Sequence, residues 1–278
     1  MTWLAWRQHR GPTLWALLTV AALCGLMLWS GLRATNALEP FRAAGCIRAG
    51  FDPGALRGSH CAGVDQFGAR FNYAIPLFEF GVPLLLAVIA ALIGAPLVAR
   101  DLEQRTHLAA WTQSVSRRRW YLSKVVTAAA GIAVAATVAG FAADRLQRPL
   151  TEGGLTSSRW PWFFSIDLAP AGEALLCFAL AVAAGAWLRR TLPAVGIALA
   201  GFLILLLVTG RAVQTLTPTS QDTGPRPSVP RDGWILHGNT YHPASQFWPL
   251  QLTFLTVQLV LAGTCVALGW RAIRHRTP

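Results

Sequence analysis

Lysine is nearly absent from this chain: a single Lys124 stands against 23 arginines in 278 residues. Charge of either sign is scarce, at 13% of residues, where water-soluble domains carry about 25%. The shortage excludes whole classes of chemistry. ATP hydrolysis on a phosphate-binding loop needs GxxxxGK[ST], whose lysine reaches the phosphates. Lys124 is followed by Val125 and has no glycine loop before it, so the chain carries no such ATPase. HExxH is missing too, and with it the commonest zinc-protease helix. No GxSxG nucleophile elbow occurs.

What fills the chain is apolar residues, 54% of the total, gathered into long runs with little or no charge. About 20 such residues cross the hydrocarbon core of a bilayer as a helix. Six runs reach that length, at residues 13–32, 74–99, 125–143, 171–188, 192–210 and 247–270. The expected fold is an all-α membrane protein with residues 1–278 in one transmembrane domain. The first run lacks a convincing small-residue cleavage site after it and reads as a retained span. Between the fourth and fifth runs only Arg189-Arg190 interrupts, which predicts a tight hairpin.

The formal charge of +12 raises the question of nucleic acid. No aromatic-basic module or soluble basic domain accompanies it, so no nucleic-acid partner is expected. Retention of arginine on cytoplasmic loops accounts for the excess instead. With the N-terminus inside, 13 of the 24 basic residues fall in the short inner segments; the other 11 spread over outer loops more than twice as long in total. The density predicts both ends in the cytoplasm. Five arginines in the first outer loop, residues 33–73, narrow the margin.

The outer loops differ from one another. Residues 144–170 hold the cluster Trp160-Pro161-Trp162-Phe163-Phe164, and Thr215 to Pro230 is rich in Pro, Thr and Ser, which predicts irregular backbone. The first outer loop holds Cys46 and Cys61. An outer pair can oxidise where a cytosolic pair stays reduced, so a disulfide closing 16 residues is a candidate, and two unpaired thiols the alternative. Cys24, Cys177 and Cys265 fall in spans and read as small apolar packers. His237 and His242 share a loop, but two histidines make no metal site.

Glu79 lies inside the second span between Pro76 and Pro83, and Glu173 opens the fourth. A carboxylate in hydrocarbon is costly unless paired or near water. Each either lines a substrate path or sits at the outer interface paired with an arginine such as Arg145 or Arg211.

The inner loop from Arg100 to Lys124, RDLEQRTHLAAWTQSVSRRRWYLSK, is too long for a turn. Leu108, Trp111, Thr112 and Val115 share one helical face, and Asp101 with Gln104 could cap a short amphipathic helix there. Such a helix lies across the membrane base either as an interfacial segment beside the positive cluster Arg117, Arg118 and Arg119 or as a docking surface for a partner. Glu103 and Thr106, then Trp111-Thr112-Gln113-Ser114-Val115, then Arg117, Arg119, Trp120 and Lys124 make this loop similar to the segment after the second span in permeases of type-2 ABC exporters, especially those of actinobacteria. That family has a Glu-x-Gly-Thr core; here Arg105 replaces its glycine. Gly94-Ala95-Pro96 and the stretch from Tyr241 to Trp248 resemble the same family.

The resemblance implies a membrane-spanning permease of an ATP-driven exporter in the bacterial plasma membrane. It implies ATP and magnesium in a separate cytoplasmic ATPase subunit, no cofactor in this chain, and a second copy or a related permease as partner. It makes the inner loop a coupling helix, with Glu103, Thr106, Trp111 and Arg117 to Arg119 as the contact residues. It also makes MTWLAWRQHR at the N-terminus a separate interfacial helix, where Trp3 and Trp6 alone suggest an interface anchor. Two other readings compete: an accessory membrane subunit that moves nothing, and a membrane-embedded enzyme, which would need a polar cluster converging in the bilayer.

Overall fold

A computed structural model describes residues 2–46, 63–104, 116–156, 158–216, 218–221, 233–237 and 240–276. Helix α1 spans Thr2–Ala43 and α2 spans Val64–Phe71. A short α3, Ala74–Pro76, runs through a π-helical segment, Leu77–Gly81, into α4, Val82–Glu103. Then come α5 (Arg117–Glu152), α6 (Ala169–Leu188), α7 (Thr191–Leu216) and α8 (Phe247–Arg276). Helices α1, α4, α5, α6, α7 and α8 are each long and apolar enough to cross a membrane. They coincide with the six expected spans.

Helix α6 is the hub. It packs against α4, α5, α7 and α8. Its sequence, APAGEALLCFALAVAAGAWL, has few large side chains. Between helices in lipid the hydrophobic effect gives no net drive, so association depends on close van der Waals approach, which small residues permit. The α4–α6 crossing shows the device. A Cβ added at Gly94 would stand 2.8 Å from the Phe178 carbonyl oxygen, and one at Gly185 would stand 2.8 Å from that of Ala95. The α6–α7 hairpin turns at Arg189, whose φ of 54° is left-handed, with its N–H donating to the Gly185 carbonyl.

Three features depart from the sequence-based expectation. The N-terminal segment is not a separate interfacial helix: α1 is continuous from Thr2 through Gly11-Pro12 to Ala43. Proline removes one backbone donor, yet its fixed φ near −65° is helical, so a helix can pass through. Helices α1 and α5 also overrun their expected spans. Residues 33–43 add about 16 Å at 1.5 Å per residue, and at the far ends Arg42 pairs with both Glu39 and Glu152. Lastly, the loop before α8 is not wholly irregular. Strands β1 (Ser220–Gln221), β2 (Trp234–His237) and β3 (Thr240–His242) form an antiparallel sheet in the order β1-β3-β2, with an irregularity between Ile235 and His237.

An aromatic cap closes the end of the bundle that carries this sheet. After α5 the chain forms a 3-10 turn, Trp160–Trp162. Trp160, Trp162 and Phe163 are buried. Trp160 stacks on Phe163 at 5.9 Å between centroids, and Phe247 at the start of α8 meets both edge-on. Arg159 lies 3.7 Å over the Phe247 ring and donates to Asp167 at 2.6 Å. Asp167 adopts φ 56°, and its carbonyl oxygen would stand 2.1 Å from a Cβ on Gly140, so only glycine fits there. Gln251 of α8 fixes this turn by donating to the Phe163 and Ile166 carbonyls.

Candidate functional site

The opposite end of the bundle gathers the arginines. Arg100, Arg117 to Arg119, Arg189, Arg190, Arg271 and Arg274 all belong to helix ends that meet there. Two links tie these ends together around the gap between α4 and α5. Lys124 of α5 donates to Asp101 of α4, with both side chains largely out of solvent. Lys124 also sits 4.9 Å over the Trp120 ring. Thr191, the first residue of α7, donates to Glu103 at 3.4 Å. Asp101 lies in the last turn of α4, where Gln104 is the C-cap, and its carboxylate accepts from the lysine one helix away; the short helix expected after it lies outside the described residues.

Ser116 starts α5, its Oγ accepting from the Arg119 N–H at 3.3 Å. The triplet Arg117-Arg118-Arg119 then occupies the first turn. Cations are disfavoured at a helix N-terminus, where the aligned peptide dipoles are positive. Helix stability thus does not explain this placement. Arg118 and Arg119 are exposed, and Arg117 is half-buried. Thr106, Trp111 and the amphipathic stretch around them lie outside the described residues. Among the named coupling residues, the structure brings Glu103 and Arg117 to Arg119 to the two margins of one gap.

Deeper in the bundle, Glu173 of α6 is 2% exposed, and neither carboxylate oxygen has a hydrogen-bond partner. The arginine partner expected of it is not met: among the described residues its carboxylate has no partner, and packed side chains enclose it. At the preceding residue of α6, the Gln258 Oε1 of α8 would stand 2.1 Å from a Cβ on Gly172, and that oxygen too lacks a partner among the described residues. Glu79 is in the middle of the π-helical turn, a form of backbone enriched at functional sites; its side chain lies outside the described part. Cys46 is disulfide-bonded, Cys24, Cys177 and Cys265 are free, and Cys61 falls outside the described residues. The His242 ring meets Trp160 at a tilt, 5.8 Å between centroids, and approaches the Pro218 carbonyl at 3.2 Å through Nδ1.

Sequence reasoning passed over the Asp101–Lys124 pair, Gln251 and Gln258. A signal was available for the glutamines: seven residues apart in an uncharged span, they share one helical face, and that face meets α6. For the ion pair it was the solitary lysine itself.

Six membrane-length helices around a small-residue hub, with an arginine-rich loop base at one end, define a multi-pass membrane protein. The chain belongs to the ABC-2 membrane transporter related family, whose family model matches residues 17–214. The match covers five of the six long helices and ends before α8. No curated protein and no solved structure matches the chain. Members of this family typically work with ATPase subunits and are generally not catalytic themselves. The chain is a membrane transporter component.

Proposed function

We propose that this chain is the permease subunit of an ATP-driven exporter, with its arginine-rich end in the cytoplasm and the loop between α4 and α5 as the docking element for a separate ATPase subunit. One observation carries the reading. The base of that loop is fastened on both sides, by Asp101 to Lys124 and by Glu103 to Thr191, at the end of α4, which packs along the central helix. A push on the loop therefore moves α4, α5 and α7 together and reaches α6 through a tight interface. A loosely hung loop would absorb the push in its own backbone.

In this reading ATP and magnesium bind the partner, and this chain supplies the path. Glu103, Thr106, Trp111, Arg117 and Arg119 meet the ATPase, while Arg118 turns to the groove between α5 and α8. Two permease copies, or this chain and a related one, enclose the pathway. Coupling requires that the ATPase bind the inward- and outward-facing states with different free energies; the fastened loop base is where that difference acts. Both chain ends then lie in the cytoplasm of a bacterial cell, and Cys46 and Cys61 lie outside, where they can bond.

The test is co-expression with the ABC ATPase encoded beside it, followed by transport and ATPase assays in proteoliposomes. Co-purification, and ATPase activity stimulated by a transported compound, are the expected results. Transport that persists after ATP depletion, or a chain that never retains an ATPase, would overturn the proposal. Stabilisation of a partner complex without substrate-stimulated ATPase activity would favour the accessory-subunit reading.

A further inference from the structure

Helices α5 and α8 touch at few points, and between them at the arginine-rich end lies a groove of about 390 Å³. Its mouth carries Arg118 from the first turn of α5 and Arg274 from the last turns of α8. Both side chains are exposed, and neither has an acidic partner among the described residues. Below the arginines the walls are Leu122, Tyr121 and Trp270. Tyr121 is not a free donor, since its hydroxyl is spent on the Val266 carbonyl at 2.9 Å. Further down, the groove passes Gly263, where an added Cβ would meet nothing within 4 Å.

Two cations at the mouth, an indole at the depth where rings partition into the headgroup region, and an open apolar channel below make an amphiphile's outline. We propose that this groove binds one acidic phospholipid of the leaflet at the arginine-rich end. The phosphodiester lies between Arg118 and Arg274, and an acyl chain runs down past Gly263. Charge complementarity selects the headgroup. Continuity of the apolar wall with the lipid-facing surface selects a lipid over a soluble anion, because a free phosphate would leave that wall unfilled. The inference rests on the reading of α5 and α8 as membrane spans, and it is independent of which ATPase or substrate the chain serves.

The test uses the full-length protein, delipidated in detergent and titrated with phosphatidylglycerol or phosphatidylcholine, with native mass spectrometry counting bound lipids. One phosphatidylglycerol is expected to bind at least tenfold tighter than phosphatidylcholine. Arg118→Gln/Arg274→Gln should remove that preference. Arg190→Gln/Arg271→Gln, which loses the same charge from neighbouring helix ends, should keep it. Gly263→Phe, which fills the channel and keeps every charge, should weaken phosphatidylglycerol at least tenfold; size-exclusion profiles verify folding of each variant. Equal binding of the two lipids, or equal loss in both arginine pairs, would overturn the site. So would displacement of the lipid by millimolar inorganic phosphate, which would show an anion site without a chain-binding part. Failure here with an ATPase still co-purifying would sink the lipid site alone.

Discussion

The ion pair between Asp101 and Lys124 invites a double-mutant cycle. In Asp101→Asn the ammonium of Lys124 loses its anion while its side chain stays 13% exposed; in Lys124→Met the carboxylate of Asp101 is left 19% exposed without its cation. A hydrogen bond to a charged group contributes about 1.5–3 kcal/mol, and an unpaired, largely buried charge adds a desolvation cost. The stacking of Lys124 on Trp120 survives in Asp101→Asn, which keeps that single loss toward the lower end. Each single substitution should therefore cost about 2 kcal/mol. The double variant should cost little more than one single, giving a coupling energy of about 1–2 kcal/mol. At roughly 2–4 °C per kcal/mol, each single lowers the apparent Tm by several degrees. Thermal unfolding of the four proteins in one detergent reads this directly. Parallel assays on the ATPase complex should show stimulated ATPase activity falling further than the stability loss explains, since the loop base is loosened. Strictly additive losses, within about 0.5 kcal/mol, would refute the claim that the two residues act as one fastening.

Gly185→Ala should destabilise, because overpacking against the Ala95 carbonyl costs about 1–3 kcal/mol and outweighs the gain of about 1 kcal/mol from alanine's helix propensity; Gly131→Ala, which meets nothing within 4 Å, should stabilise. A thermal melt of the two variants side by side decides it. Arg159→Met should cost about 3–5 kcal/mol, because it strips the cation from Asp167, whose carboxylate is 4% exposed. Burial first, and then the neighbouring Asp144, hold the Asp167 carboxyl above its ordinary value of 3.8, while Arg159 and Arg148 pull it down. A raised acid stabilises the fold below its unfolded value and loses that contribution as pH climbs through the folded one. Removing Arg159 raises it further, so the variant's deficit should shrink as pH falls from neutral toward 4; a deficit that grows on acidification would contradict this. Glu173→Leu should leave the apparent Tm unchanged or raise it, since it removes a buried polar group with no partner; a marked loss would reveal a contact made with a second subunit. Peptide mapping without reductant should join Cys46 to Cys61, and reduction should lower stability by about 3 kcal/mol for a loop of this length.

The spans were legible because charge is scarce in them: four of the six runs have none and two carry a single glutamate, and all six became long helices. Their ends were less legible. Nothing in the hydropathy of residues 33–43 marks helix, and α1 continues there because it rests on α5, with Arg42 reaching Glu152 from a position 110 residues away. The small sheet was missed because its strands are two to four residues long, too short for alternation to register; Gly238-Asn239 was the one hairpin signal between them. The partner of Asp101 was not legible for a related reason, since Lys124 stands 23 residues away on the next helix. Glu173 was recognised as unusual, but its full enclosure depends on tertiary packing of the bundle, which sequence spacing does not reveal.

The packing of α6 also bears on how the protein is made. Spans enter the bilayer in order, yet the helix that four of the others pack against is the fourth, and its face at Gly172 is covered by the sixth. Until α8 has been synthesised, an uncovered small-residue stripe faces lipid or the insertion machinery. The fold is thus completed from its last helix inward. A chain cut off before Phe247 would hold five of its six spans and still display an unfinished core, a mark by which membrane quality control could tell an incomplete copy from a finished one.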